Sequence, residues 1–200
     1  KGRFRLKEIK NTNPIAVGDR VVFHQEEAPE KGVITEIVPR ENYIIRKSVN
    51  LSKQTHILAA NIDVAFLVVT LNNPTTYPAF IDRFLVTAEA YSIPAVLLLN
   101  KVDSYSPDEL AEVKYMAHMY RDIGYECIGI SAQTGKNIEQ VKARLEGKTA
   151  MVLGHSGAGK STLINRLSPS LQLKTQPLSE QHAQGQHTTT FAQMYDLDFG

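Results

Sequence analysis

The sequence contains no tryptophan and a single cysteine, Cys127. One thiol cannot close an internal disulfide, so a disulfide-stapled secreted scaffold is excluded. The six histidines, at positions 24, 56, 118, 155, 182 and 187, show neither an H-x3-H nor an H-E-x-x-H spacing, and Cys127 alone cannot build a zinc site. Long apolar runs are also missing. The longest, Val64–Val69 and Ala95–Leu99, have the length of buried strands and fall far short of the ~20 residues that span a bilayer. The first residues are charged at once (Lys1, Arg3, Arg5) with no apolar stretch behind them, so no signal peptide is visible. Together these absences fit a reducing, cytoplasmic compartment; no membrane partner is expected, and the chain is expected to be a monomer.

What remains is ordinary globular material. The 200 residues are 42% hydrophobic and 22% charged, enough for one large domain or a medium and a small one. The net charge of +1 implies no nucleic acid by itself, but its distribution does more. Residues 1–53 hold 11 Lys and Arg against 7 Asp and Glu, whereas the remainder holds 11 against 14. This skew reads either as a solvated face or as a phosphate-backbone contact on a small N-terminal module, with Arg3, Arg5 and Lys7 as the contact candidates.

The pattern of the first fifty residues is short strands and turns. Arg20-Val21-Val22-Phe23 follows a Gly18-Asp19 turn, residues 32–38 alternate in period two before Pro39, and residues 42–46 form another strand. A small OB-type β-barrel over residues 1–53 is expected, incomplete at its N-terminus because an OB barrel needs five strands. From about residue 57 strands alternate with helices: strands at 64–70, 95–99, 126–130 and 150–153, helices at 81–91, 106–124, 138–145 and 161–167. That alternation predicts a mostly parallel sheet with flanking helices over residues 54–200. Ser106-Pro107-Asp108-Glu109 is a strong helix start, with Ser at the N-cap and an acid at the third position. Residues 168–187 are polar and aperiodic and read as a mobile loop, with a strand expected at 191–197.

Three motifs carry chemistry. Gly154-His155-Ser156-Gly157-Ala158-Gly159-Lys160-Ser161 matches the phosphate-loop pattern in full, between an expected strand and an expected helix. Its glycines let backbone N–H groups turn inward around phosphates, and the helix N-terminus adds a favourable dipole. Lys160 would reach the β- and γ-phosphates and Ser161 would offer a hydroxyl to Mg2+. Asn100-Lys101-Val102-Asp103 directly follows an apolar strand, at the sheet edge where α/β proteins bind ligands. Asp103 can accept from both N1–H and the 2-amino group of guanine; adenine offers neither donor there, so a site of this kind rejects it by roughly 10⁴-fold. Asn100 would bond across the loops and to the base edge, and the stem of Lys101 would cover the base face. Ser131-Ala132-Gln133 follows the next strand and is similar to the Ser-Ala-Lys loop of GTPases, in which the backbone N–H at the Ala position meets guanine O6.

The order of these motifs is the most informative property of the chain. Ordinary GTPases place the phosphate loop first and the base-reading motif last, whereas here the sequence runs the other way. A circularly permuted P-loop GTPase domain is therefore expected. His187-Thr188-Thr189-Thr190 supplies a switch segment, with Thr189, or else Thr188, as a Mg2+ ligand. The remaining GTPase element, Asp-x-x-Gly, should follow the strand at 191–198; Asp196 and Gly200 have the wrong spacing, so the domain reads as cut before it.

Behind an N-terminal β-module, this motif order resembles one family, the bacterial small-subunit-dependent GTPases called RsgA. Lys1-Gly2-Arg3-Phe4-Arg5, the segment from Asn13-Pro14-Ile15 through Gly18-Asp19-Arg20-Val21, the phosphate loop and His187–Thr190 all look like stretches of that family, and the resemblance covers essentially the whole chain. It implies GTP or GDP contacts at Asn100, Lys101, Asp103, Ser131, Ala132, Gly154, His155, Ser156, Gly157, Ala158, Gly159, Lys160, Ser161 and Thr162. It also implies an OB-fold touching ribosomal RNA, and a GTPase acting late in maturation of the small ribosomal subunit, slow alone and faster on that subunit. Family members carry a C-terminal Cys/His zinc site, so Zn2+ is expected only in an intact protein. The family lacks the Ras-type Gln; beside Lys160, His187 is the first catalytic candidate and His155 the second. The competing expectation is an RNA-binding assembly factor in which bound nucleotide is structural and not turned over.

Overall fold

The computed structural model describes residues 14–25, 32–47, 55–174 and 192–199. Its N-terminal part contains antiparallel strands. β1 (Val21–Gln25) pairs with β2 (Gly32–Ile37), and β3 (Tyr43–Lys47) pairs with β4 (Thr55–Ala60). Each ladder slips its register once, between Val22 and Phe23 and between Ile44 and Ile45. Such bulges increase local twist and bend strands, as small curled β-modules require. Val17 adds a parallel bridge to Ala59. β4 lies wholly past residue 53, and the chain parts into two compact units, Lys1–Ile62 with Phe191–Met194 and Asp63–Thr190 with Tyr195–Gly200.

A bidentate ion pair pins the turn before β1. Arg40 Nε donates to Asp19 Oδ1 at 2.6 Å and its terminal nitrogen donates to Oδ2 at 2.8 Å. Ala16 N–H adds a third donor to the same carboxylate, and Arg40 also donates to the carbonyl of Pro14. Burial alone would raise the Asp19 carboxyl, yet the hydrogen bonds from Arg40 and Ala16 hold it below its ordinary value.

The second unit is an α/β layer structure. Its strands, β5 (Val64–Val69), β6 (Ala95–Leu99), β7 (Glu126–Gly129) and β8 (Ala150–Gly154), form one parallel sheet in the order β7-β6-β5-β8. β5 is buried at every position, as expected of a central strand covered on both faces. Phe66, Val68, Leu98, Ile128 and Ile130 face a core completed by α3 (Ile138–Leu145) and α4 (Lys160–Leu167) through Val141, Leu145 and Leu163. Strand alternation turns Ala65, Leu67, Val69, Leu97 and Leu99 to the opposite face. α1 (Pro78–Ala90) packs on β5 and α2 (Pro107–Asp122) on β7. Tyr120 of α2, fully buried, donates its hydroxyl to Asp82 of α1.

Most elements fall where periodicity put them, and the differences have local causes. α1 begins three residues before the expected 81 because Pro78 occupies the first helical turn, where a missing N–H costs nothing. α2 starts with the expected capping box: Ser106 Oγ accepts from Glu109 N–H, and Glu109 returns a carboxylate oxygen to Ser106 N–H at 2.7 Å. The strand expected at 191–197 is absent over 192–197. Side chains hold the end of that segment and the residues just after it. Leu197 and Phe199 pack against the sheet core, Lys142 Nζ sits 4.8 Å from the Phe199 ring centroid, and Asp198 accepts from Ser170. The loop expected to be mobile from 168 opens with a 3-10 turn, Pro169–Leu171, and Asn165 holds Leu173 through both its backbone groups. Among the described residues no helix is long and apolar enough to cross a membrane.

Candidate nucleotide site

The three motifs meet at the carboxyl edge of the sheet. β8 ends in the phosphate loop, β6 ends at Asn100, and β7 leads into Ser131. β5 lies between β6 and β8 in the sheet, so the base-reading loop must reach across its end to meet the phosphate loop.

Asn100 makes that reach. Its side chain is buried; Nδ2 donates to the carbonyl of Ala158 at 2.8 Å, and Oδ1 accepts from Ala132 N–H at 3.0 Å. One amide thus ties all three loops. The same contact explains a glycine. At Gly159, where φ is +100°, a Cβ would stand 2.3 Å from Asn100 Nδ2. Gly154, with φ of +146°, is needed for a second close approach, because a Cβ there would stand 2.6 Å from the carbonyl oxygen of Val68 on β5.

Lys160 opens α4 and folds back on the loop, donating to the carbonyls of Gly154 at 2.8 Å and His155 at 2.7 Å. Burial pulls its ammonium below the ordinary lysine range. A polyphosphate would compete with those carbonyls for the charge. Ala158 is fully buried, Ser156 and Gly157 are exposed, and Ser161 and Thr162 are half-buried in the first turn of α4. The Ser161 hydroxyl makes no hydrogen bond among the described residues. It is a hard oxygen donor of the kind Mg2+ takes beside phosphate oxygens and water. No three His, Cys, Asp or Glu side chains converge among the described residues, so a cation here would depend on Ser161 together with phosphate oxygens and water. When bound, such an ion neutralises charge on the phosphate oxygens.

Of the base-reading residues, Asp103 is exposed and accepts no hydrogen bond from the described residues. Lys101 takes a left-handed φ of +70° and donates to the carbonyl of Asn73; burial lowers its ammonium in spite of the nearby Asp103 charge. Ser131 is fully buried and its Oγ accepts from Thr134 N–H, which closes the Ser-Ala turn. The Ala132 N–H expected to meet guanine O6 is engaged by Asn100. His155 packs its ring against Phe80 of α1, with centroids 4.2 Å apart and planes inclined at 32°. Burial, then the Lys160 charge, holds its pKa below the ordinary histidine value. His187, Thr188, Thr189, Arg3, Arg5 and Lys7 lie outside the described residues.

Two side chains that sequence reading passes over also hold this edge. Tyr105, buried, accepts from Leu71 N–H at 2.9 Å and donates to the carbonyl of Asn100 at 2.9 Å, so it fixes the backbone from which Asn100 projects. Arg166 of α4 donates to the carbonyls of Ala132 and Gln133. Neither residue belongs to a local spacing pattern.

The family model for the RsgA GTPase matches residues 37–200. A small ribosomal subunit biogenesis GTPase RsgA of Christiangramia forsetii is 67% identical over 201 residues, an alignment that takes in 100% of this chain and 64% of that protein. The protein of the same name from Flavobacterium psychrophilum is 55% identical over 202 residues, with 100% of this chain and 62% of that one covered. Among solved structures, YjeQ from Thermotoga maritima superposes with a TM-score of 0.74 at 36% identity, over 100% of this chain and 62% of its own. YloQ, described as a circularly permuted GTPase, gives a TM-score of 0.61 at 31% identity, over 85% and 54%. The chain therefore spans less than two thirds of the length of these relatives.

Proposed function

The chain belongs to the RsgA GTPase family, and from that membership we propose that it binds guanine nucleotide with Mg2+ and, as part of the intact protein, hydrolyses GTP slowly while acting in late maturation of the small ribosomal subunit. The relatives' names, small ribosomal subunit biogenesis GTPase, support this partner and process. The subunit stimulates turnover in this reading, and the work is done in the cytoplasm. The observation that carries the nucleotide reading is the Asn100 amide, which joins the phosphate loop and the Ser-Ala loop in one hydrogen-bonded unit.

The division of labour follows from the residues. The phosphate-loop N–H groups and Lys160 hold the polyphosphate, and Ser161 holds Mg2+ together with Thr189 or Thr188. Asp103 reads the base edge, and Lys101 covers its face. His187 is the first candidate to orient the attacking water; His155, packed on Phe80, is the second. Arg3, Arg5 and Lys7 on the OB-type module touch ribosomal RNA, and the zinc site of the intact protein lies in a further domain.

Nucleotide titration tests the binding half. GDP should bind far more tightly than ADP, and Lys160→Ala should abolish tight binding. Unchanged GDP affinity in that variant would sink the reading.

A further inference from the structure

Arg166 stands in the last turn of α4, the helix that begins at the phosphate loop. Its guanidinium reaches the Ser-Ala loop, where Nε donates to Ala132 O at 3.4 Å and a terminal nitrogen donates to Gln133 O. The loop turns close beneath it: a Cβ at Gly135 would lie 3.8 Å from the guanidinium carbon. Two consecutive carbonyls therefore face one cation. In a planar trans peptide the C=O and N–H point in opposite directions. The N–H groups of Gln133 and Thr134 are consequently turned to the other side of the loop.

The partners of these N–H groups can be followed one by one. Ala132 N–H goes to Asn100 Oδ1 and Thr134 N–H to Ser131 Oγ. Gln133 N–H has no partner among the described residues, so it is the donor this turn leaves for a ligand. We propose that Arg166 is a positioning residue for base recognition: it fixes the two peptide planes that aim Gln133 N–H at the 6-oxo group of guanine, and it ties that donor to the phosphate-loop helix. This rests on the guanine-nucleotide reading above. It also explains how the loop tolerates Gln133 in place of the usual Lys, since the contact is made by backbone.

The test uses the full-length protein, with fluorescent GDP displaced by GDP, ADP or inorganic pyrophosphate. Arg166→Met keeps the aliphatic stem and removes the hydrogen bonds. It should weaken GDP about tenfold while pyrophosphate stays within about twofold, and Arg166→Lys, which restores one charged donor, should recover part of the loss. Unchanged GDP affinity in Arg166→Met would overturn the proposal. So would an equal loss for GDP and pyrophosphate, which marks a general loosening of α4. If the wild-type protein itself binds ADP as tightly as GDP, the guanine reading fails and takes this one with it. That failure appears before any variant is made, so the two are distinguishable.

Discussion

Asn100 concentrates the chemistry of the site in one side chain, and Tyr105 holds the backbone that carries it. Replacing Tyr105 by Phe would leave Leu71 N–H and the Asn100 carbonyl without their buried partner. The cost should be about 1–3 kcal/mol in unfolding free energy, with a parallel weakening of GDP. Equilibrium unfolding in urea, with and without GDP, measures both; a variant as stable and as tight as wild type would remove Tyr105 from the account. Residues such as Lys160, Ser161, Asn100 and Asp103 were legible in the sequence because phosphate and guanine chemistry dictates residue type and spacing within a few positions. Tyr105 and Arg166 were not legible: Leu71 lies 34 positions from Tyr105 and the carbonyls that Arg166 holds lie 33–34 positions from it, so only the fold brings these groups together, and the Tyr105 bond to Asn100, five positions away, follows no recognised spacing.

At the scale of elements, close packing of the phosphate loop on β5 sets a strict limit at Gly154. Gly154→Ala would press a Cβ to within 2.6 Å of the Val68 carbonyl in a left-handed conformation. A loss of about 2–4 kcal/mol is expected, read from the urea midpoint, together with weaker GDP binding. A neutral result would mean that β8 and β5 are not so closely apposed.

The Asp19–Arg40 pair gives the N-terminal strands a pH dependence. The folded Asp19 carboxyl is held below its unfolded value. Its contribution is thus fully present above the unfolded pKa and is lost as pH falls through the folded pKa. Stability should decline on the acid side, and in Asp19→Asn that part of the decline should vanish. Breaking the pair costs roughly 2–4 kcal/mol at neutral pH, because Arg40 is left without its partner. Matching acid limbs in wild type and Asp19→Asn would contradict this.

Elements with a strong period or cap, such as α2 with its capping box and the fully apolar β5, were readable from sequence. β4 was hidden because Thr55–Ala60 opens on the polar Thr55 and His56 and carries no sustained period-two alternation. The segment 192–197 has strand-like composition, yet it forms no ladder: Leu197 packs against the sheet core, and the residues after it, Asp198 and Phe199, meet Ser170 and Lys142, which sequence alone does not disclose.

For the whole molecule, the permuted motif order still delivers three loops to one sheet edge, because crossover connections bring successive parallel strands to the same end whatever their order in the chain. Joining the sheet to a basic β-module makes RNA the expected partner of the N-terminus. Replacing Arg3, Arg5 and Lys7 together should weaken binding to the small subunit and flatten its dependence on salt, since each lost phosphate contact removes about one released counterion. A binding assay across ionic strengths decides it; an unchanged salt slope would place the contact elsewhere.

The most direct test of the proposed role is GTP turnover by the full-length protein, measured with and without purified small ribosomal subunits. The account predicts slow turnover alone and a clear increase when the subunit is added. Turnover unaffected by the subunit, with GTP still tightly bound, would contradict it and favour a nucleotide that stabilises an RNA-binding factor without being consumed.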